Sequence, residues 1–240
     1  MTEFICTVIG LLKKADALNE RNILAVSDLF ADCIKNDGII YMFGCGHSGL
    51  IAQDCFYRAG GLANIQPIFV PELMLHISAS ESSKLEKDEK NAKGILDGYD
   101  FKPQDVLCVF SVSGINGVPV DIAKQGKEKG LKVIGLGSSS YSAERSRHSS
   151  GKKLADYCDV FLDNVVPKGD AVIDLKSDGK AVPVSTVISS CLIQACIAET
   201  LKKLDRTGVA FDVFGSGNLN ANINKNADLC DKYKKRIKFL

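Results

Sequence analysis

The sequence lacks an excess of charge of either sign and lacks any long apolar run. It has 30 Lys and Arg against 29 Asp and Glu, a net charge of +1 over 240 residues. This balance argues against nucleic acid or a membrane surface as partner, because both attract strongly basic proteins. The longest apolar region, Val187 to Ile197, is interrupted by Ser189, Ser190 and Gln194. It is therefore too short and too polar to span a bilayer.

Motifs for bound metals and cofactors are missing as well. The nine cysteines form no C-x-x-C pair and no Cys/His cluster with metal-ligand spacing. The segment Gly44-Cys-Gly-His-Ser-Gly49 has its third glycine at the wrong spacing for a dinucleotide-binding motif. We expect no cofactor and no metal, and thiols that are reduced and mostly buried. Cys45 is the exception, because it lies near a predicted helix start, where a thiol pKa can fall.

A cytoplasmic location is expected from these thiols and from the amino-terminal residues. Residues 1–18 contain Glu3, Lys13, Lys14 and Asp16 and lack the continuous apolar core of an export signal.

Two loops rich in Gly and Ser each follow an apolar run that is typical of a buried strand. Residues 39–43 lead into Gly44-Cys-Gly-His-Ser-Gly49, and residues 106–110 lead into Ser111-Val-Ser-Gly-Ile-Asn-Gly117. In α/β proteins such loops bind anions, because glycines permit close approach, backbone N–H groups point at the ligand and serine hydroxyls add uncharged donors. Two such loops predict a small phosphorylated ligand. The alternative is ordinary turn chemistry, since these residues are common wherever a strand becomes a helix.

Strands and helices alternate along most of the chain, which predicts a parallel sheet with helices on both faces. We expect an α/β fold, a three-layer α/β/α sandwich around about five strands with flavodoxin-like or Rossmann-like topology. One domain is expected over 1–240, with N-terminal helices over 1–36, an α/β core over 37–206 and a C-terminal extension over 207–240. The predicted helices cover 3–18, about 23–34, 48–59, 118–129 and 186–204, and the predicted strands cover 39–43, 65–70, 105–110, 133–136 and 160–162.

Three further expectations concern the connecting segments. Pro67 places the second predicted strand at an edge or a bend of the sheet. Residues 71–100 are expected to form a loop and then a solvated helix, because the stretch Lys84 to Lys93 is rich in charge. Residues 164–184 are expected to be a loop.

The chain resembles the sugar isomerase (SIS) domain, a phosphosugar-binding module, at both loops and at the following strand, Leu131-Lys-Val-Ile-Gly-Leu-Gly-Ser138. Two further segments, Glu72-Leu-Met-Leu-His76 and Arg147-His-Ser-Ser-Gly-Lys152, are similar to a bacterial group of SIS-domain proteins related to phosphoheptose isomerase. This similarity extends from about residue 4 to residue 237. The motifs are more specific together, in this order, than either loop is alone.

The resemblance implies a phosphosugar isomerase that interconverts an aldose and a ketose phosphate, or an amino-sugar phosphate, through an enediol. It also implies a homodimer or homotetramer with sites near subunit interfaces. The long C-terminal helix departs from the pattern, because it has Gln194 but no histidine. Phosphoheptose isomerases are expected to use a histidine there in catalysis and zinc binding. A non-catalytic phosphosugar sensor is therefore the alternative function.

The candidate ligand-binding residues lie mainly in the loops after the first, third and fourth predicted strands. They are Gly46, His47, Ser48, Ser111, Ser113, Asn116 and Ser138. Arg147 and Lys152 would add positive charge toward a phosphate or an enediolate, with a solvated basic loop as the alternative. Asp170 would orient sugar hydroxyls, and its alternative is an Asx turn.

Three residues are candidates for catalysis: Glu72, His76 and His148. Glu72 follows a predicted strand, and partial burial would raise its pKa toward that of a general base moving a proton between C2 and C1. His76 lies four residues later, on the same face if this segment is helical, and His76 or His148 would be the acid. The structural alternatives are a helix-capping Glu and satisfied histidines. The spacing of His47, Glu72 and His76 does not by itself support a metal site.

Overall fold

Five apolar runs form the parallel sheet at the centre of the molecule. In a computed structural model that describes residues 1–240, the strand order is β2-β1-β3-β4-β5, and every pair is parallel. The three-layer α/β fold predicted from the sequence is confirmed. The strands are β1 Ile40–Gly44, β2 Ile65–Ile68, β3 Val106–Phe110, β4 Lys132–Gly137 and β5 Val160–Asp163.

Both faces of this sheet are buried, which explains why its strands are apolar runs without polar alternation. Successive side chains of a strand point to opposite faces. Ile40 and Met42 therefore belong to one apolar cluster, with helices α1 (Glu3–Lys35), α2 (Gly49–Cys55) and α5 (Ser185–Arg206). Tyr41 and Phe43 belong to a second cluster, with helix α4 (Gly117–Glu128) and parts of the 71–101 segment.

Helix α1 is one continuous helix of 33 residues, so the prediction of two separate helices was wrong. The polar residues between the two predicted helices do not end the helix, because two of their side chains bind another element. Asn19 and Asn22 donate from Nδ2 to the backbone carbonyls of Asp163 and Phe161 on β5, at 2.7 and 2.9 Å.

The segment after β2 differs in part from its prediction. Strand β2 lies at the edge of the sheet, as Pro67 indicated. Helix α3 (Leu75–Leu85) comes early in the 71–100 segment. The charged stretch Lys84 to Lys93, predicted to be a solvated helix, instead contains a short 3-10 turn at Glu89–Ala92, and a second one follows at Leu96–Gly98.

The predicted loop over 164–184 contains an antiparallel hairpin. Strands β6 (Ala171–Leu175) and β7 (Gly179–Pro183) pair with each other and with no other strand. The prediction failed because the apolar run is short and lies among glycines and charges. Gly179, with φ +70°, begins the returning strand.

The C-terminal residues pack back on the sheet. Helix α6 (Ile223–Tyr233) is followed by Arg236, whose guanidinium donates to the buried carboxylate of Asp105 at 2.8 Å. All nine cysteines are free thiols, five of them buried. No helix combines the length and the apolar character needed to cross a membrane.

Candidate functional site

The two Gly/Ser loops meet at one pocket of about 450 Å³ beyond the carboxyl ends of β1 and β3. Gly44 on β1 pairs in register with Phe110 on β3, so the two loops start side by side. Six predicted residues from these loops line the pocket: Gly46, His47, Ser48, Ser111, Ser113 and Asn116. Ligands of open α/β sheets bind at this edge.

The first loop is tightly folded, and two of its glycines are required. A Cβ atom on Gly44 would lie 2.6 Å from the backbone carbon and oxygen of Ser48. Gly46 has φ +53°, in the left-handed region that favours glycine. The chain then makes a 3-10 turn over Gly46–Ser48 and enters α2. The half-buried Ser48 and the exposed His47 are thereby placed on the pocket wall.

The second loop contributes hydroxyls of two kinds. Ser111 is buried, and its Oγ accepts a hydrogen bond from the backbone N–H of Gly114 at 3.3 Å. Ser113 is half-buried and lines the pocket, and its hydroxyl has no partner within the protein. The Ser113 hydroxyl is therefore free to bind a ligand, whereas that of Ser111 already stabilises its own turn.

One of the two carboxylates that line this pocket belongs to Glu86, which the sequence analysis missed. Glu86 follows the last residue of α3. Its backbone carbonyl accepts from the N–H of Val118 at 3.0 Å, and its side chain accepts from Nδ2 of Asn116. Burial raises the pKa of Glu86, and the charges of Lys87 and Arg147 partly offset this effect. A half-buried carboxyl with a raised pKa is suited to exchanging protons.

Asp170 also lines the pocket and holds the start of α5. It has φ +63°, and its Oδ1 accepts from the backbone N–H groups of Val184 and Ser185 at 3.0 and 2.7 Å. Its Oδ2 accepts from the hydroxyl of Ser185 at 2.5 Å. Ser185 and Thr186 thereby join the pocket wall, and neither was predicted.

Three predicted ligand residues lie outside the pocket lining: Ser138, Lys152 and Arg147. Ser138 is buried and donates from Oγ to the carbonyl of Val166 at 2.6 Å, so its hydroxyl serves to hold the chain after β5. Lys152 is exposed and extends its ammonium over the ring of Tyr157, 5.2 Å from the centroid.

Glu72 and His76 are exposed and do not line the pocket either. Glu72 lies just beyond the carboxyl end of β2, as predicted, in a 3-10 turn over Pro71–Leu73. Helix α3 begins only after Met74, which has extended backbone angles (φ −104°, ψ 146°). The spacing of four residues had suggested that Glu72 and His76 lie on one face of a helix. They do not, because Glu72 precedes the helix.

His148 and Arg147 lie on the loop after β4, outside the pocket lining. His148 is buried, with its Nε2 3.1 Å from Oδ1 of Asp121 and 3.5 Å from Oε2 of Glu89. Arg147 donates to Oδ1 of Asn116. Arg147 therefore reaches the pocket only through Asn116, and His148 contacts carboxylates of the scaffold.

Cys45 lines the pocket, but the prediction of a lowered thiol pKa was wrong. Burial raises its pKa well above the ordinary value, and the nearby charge of Glu86 adds to the effect. The thiol is therefore protonated and a poor nucleophile.

The residues present do not fit the zinc site that the resemblance implies for phosphoheptose isomerases. No three His, Cys, Asp or Glu side chains cluster as metal ligands. Gln194 of α5 does not line the pocket, and its amide lies 3.3 Å from a carboxylate oxygen of Asp54.

Sequence comparison places the chain in a family. The sequence profile of the SIS domain matches residues 3–138. The chain belongs to the SIS domain family. It is 44% identical to a UPF0309 protein of Halalkalibacterium halodurans over 92% of this chain and 90% of the relative. It is also 38% identical to a UPF0309 protein of Thermoanaerobacter pseudethanolicus over the full length of both.

Solved structures share the fold of this SIS domain at low sequence identity. A phosphoheptose isomerase of Neisseria gonorrhoeae has a TM-score of 0.53 at 19% identity, over 85% of this chain and 95% of that one. The NanR protein of Vibrio vulnificus, solved with ManNAc-6P, has a TM-score of 0.50 at 12% identity, over 98% of this chain and 69% of that one.

The sequence analysis selected Glu72 as the candidate base and missed Glu86, because the two residues have different neighbours in the sequence. Glu72 directly follows a strand and lies among apolar residues, whereas Glu86 lies in the charged stretch Lys84 to Lys93, which is typical of a solvated surface. The one local signal was Leu85 next to it, a half-buried apolar residue within that stretch.

Proposed function

We propose that this pocket binds a phosphorylated sugar and isomerises it between aldose and ketose forms. The observation that carries the proposal is the convergence of two Gly/Ser loops on one pocket that also contains a half-buried carboxylate. Membership of the SIS domain family supports it. So do two solved structures with this fold, one of a phosphoheptose isomerase and one of a protein complexed with ManNAc-6P.

The phosphate group would bind between the two loops. Ser48 and Ser113 have hydroxyls without protein partners, and both line the pocket. No Lys or Arg lines it, so hydrogen bonds from neutral donors would hold the phosphate. Hydrogen bonds from such donors are directional, so they would favour an anion whose oxygens fit the positions of these donors.

Glu86 would be the base at the sugar end. Its carboxylate takes the proton from C2 of the open-chain aldose, which leaves an enediol, and then delivers to C1 a proton that has had the chance to exchange with solvent. The C1 oxygen gains a proton and the C2 hydroxyl loses one, so the aldehyde becomes a hydroxymethyl group and C2 becomes a ketone. His47, the histidine that lines the pocket, would move the proton between these oxygens.

The test is proton NMR of sugar 6-phosphates and amino-sugar phosphates in D₂O with the protein present. Loss of the C2 proton signal of one sugar, with growth of ketose peaks, is the expected result. Glu86→Gln should abolish the exchange, since proton transfer by a positioned group contributes about 10²- to 10⁴-fold. No exchange and no line broadening for any phosphosugar at millimolar excess would contradict the proposal.

The phosphate position is tested by removing one hydroxyl. Ser113→Ala should weaken binding of the sugar phosphate about ten-fold, because a hydrogen bond to a charged group contributes about 1.5 kcal/mol. The matched control is Ser139→Ala, at an exposed serine outside this pocket. Equal affinity of both variants and the wild type would place the phosphate elsewhere.

A sensor without turnover is the second candidate. It is favoured by α5, where Gln194 contacts Asp54 instead of facing the pocket and no histidine is present. In the NMR experiment a sensor would broaden the lines of one phosphosugar without exchanging any proton.

A homo-oligomer, as a dimer or tetramer, is proposed from the apolar side chains that the first part of α1, residues 3–18, leaves exposed. This part packs on its own chain through Val8 and Ala15, which are buried. Ile5 and Ile9 on this part are 44% and 37% exposed, and a second copy of the chain would cover them. We also propose a cytoplasmic location, which suits nine free thiols.

A further inference from the structure

We infer that Arg147 is a positioning residue that holds the Glu86 carboxylate in place through the side chain of Asn116. The inference rests on the proposed function, because it assigns the control of Glu86 to a loop outside the pocket. The three residues belong to separate parts of the chain. Glu86 follows α3, Asn116 precedes α4, and Arg147 lies on the loop after β4.

The hydrogen-bond chain has a fixed direction. Arg147 has only donors, so it must face Oδ1 of Asn116, and it does. The amide of Asn116 then presents Nδ2 to Glu86, where it donates to one carboxylate oxygen. Without Arg147, Oδ1 of Asn116 loses its donor, and only the bond to Glu86 would hold the amide in place.

Asn116 is at the N-cap position of α4 but does not use its side chain as a cap. Asn is preferred at this position because its oxygen normally accepts from the first helical N–H groups. Here both ends of the amide are instead committed to Arg147 and Glu86. This unused cap indicates that the side chain serves the pocket.

The loop that carries Arg147 is fastened to the second Gly/Ser loop. The N–H of Arg147 donates to the carbonyl of Ile115 at 2.8 Å, and the N–H of Leu154 donates to the carbonyl of Gly114 at 2.9 Å. Arg147 therefore lies in a segment bonded at both ends to the loop that it acts upon.

His148 anchors the same segment to the scaffold. Its Nε2 is 3.1 Å from Asp121 on α4, and its Nδ1 is 2.8 Å from Oγ of Ser150. The N–H of Ser149 donates to Glu89 at 2.6 Å. These contacts fix the residue directly after Arg147, so His148 is a support for the positioning residue.

The electrostatic surroundings of Glu86 agree with this geometry. Lys87 is its sequence neighbour, Arg147 acts from the facing loop, and Cys45 and His47 lie on the first loop in the same pocket. The positive charges of Lys87 and Arg147 favour the ionised carboxylate against the effect of burial. Removal of Arg147 should therefore raise the pKa of Glu86.

The test compares Arg147→Met and Arg147→Lys with the wild type. The Glu86 carboxyl is titrated by carbon-13 NMR of Glu-labelled full-length protein, with its signal assigned by Glu86→Gln. Arg147→Met should raise the Glu86 pKa and lower kcat about ten- to hundred-fold, with less change in KM, since it disturbs the position of the base. Arg147→Lys should bring the Glu86 pKa and kcat part of the way back to the wild-type values, because the lysine ammonium can also donate to Oδ1 of Asn116.

The control is Arg145→Met, at an exposed arginine two residues away that makes no ion pair, and it should change neither readout. An unchanged Glu86 titration in Arg147→Met would overturn the inference. A wild type without turnover would instead contradict the isomerase proposal, and the titration would still decide whether Arg147 acts on Glu86.

Discussion

The side-chain amide of Asn19 bonds to both backbone groups of Asp163. Its Nδ2 donates to the carbonyl at 2.7 Å, and its Oδ1 accepts from the N–H at 2.9 Å. Asp163 is the last residue of β5, an edge strand with no neighbour on its outer side. The helix thus supplies the pairing that a sixth strand would otherwise give, which protects an open edge of the sheet.

Asn19→Ala should therefore destabilise the protein by about 2–3 kcal/mol, because it leaves a backbone donor and an acceptor without partners near the core. The measurement is urea unfolding followed by circular dichroism. Asn36→Ala is the control, since the amide of Asn36 bonds only to Asp32 in an exposed turn of the same helix. A loss no larger than that of the control would show that the pairing contributes little.

The same residues explain how far the sequence predicted the fold. The apolar runs of the five strands were found because burial on both faces leaves no polar position in them. The unbroken α1 was not found, because Asn19 and Asn22 are typical of a helix break unless a partner is known. That partner, β5, lies more than 130 residues away in the chain, so no local pattern contains it.

The site was predicted where it depends on local backbone chemistry and missed where it depends on tertiary contacts. The two Gly/Ser loops were visible because each follows its own strand. Glu86 was not visible, since its burial results from the contacts with Asn116 and Val118 on another element. Glu72 had the better local context but is exposed on the folded protein.

The role of Asp170 can be separated from that of a sugar-binding carboxylate. Its oxygens accept from Val184 and Ser185, and its φ of +63° is one that Asn also tolerates. Asp170→Ala should cost about 2 kcal/mol through the lost cap. Asp170→Asn keeps an oxygen for these backbone N–H groups and should cost only about 0.3–1 kcal/mol, through the lost negative charge at the helix start, and the variant should bind the sugar phosphate as tightly as the wild type. Thermal unfolding measures the stability of each variant, and calorimetric titration measures its affinity for the sugar phosphate. Loss of affinity in Asp170→Asn would show that the negative charge of Asp170 binds the ligand.

The raised pKa of Glu86 makes stability depend on pH in a defined direction. Burial disfavours the ionised carboxylate in the folded protein and so lowers the free energy of unfolding. This cost is absent below the ordinary Glu pKa of about 4.3, where the carboxyl is protonated in the folded and the unfolded protein. The cost grows as pH rises from there to the raised pKa and is constant above it. Glu86→Gln should therefore stabilise the protein more at pH 7 than near pH 4, where the carboxyl is largely protonated in both states.

The measurement is chemical unfolding of both proteins from pH 4 to pH 8. The matched control is Glu81→Gln, on α3 and exposed beside Lys84, whose effect should stay within about 0.5 kcal/mol throughout. A Glu86→Gln effect that is equal at pH 4 and pH 7 would mean that ionisation of Glu86 is not the cause.

The proposed oligomer is tested at the exposed apolar residues in the first part of α1, residues 3–18. Glutamates at Ile5 and Ile9 would place charges in an apolar contact, so the double variant Ile5→Glu/Ile9→Glu should be a monomer of about 25.9 kDa. The wild type should have two or four times that mass by sedimentation equilibrium. Ile77→Glu is the control, because Ile77 on α3 is 59% exposed but lies on another surface. A monomeric wild type, or a double variant that keeps the wild-type mass, would rule out this surface as the contact.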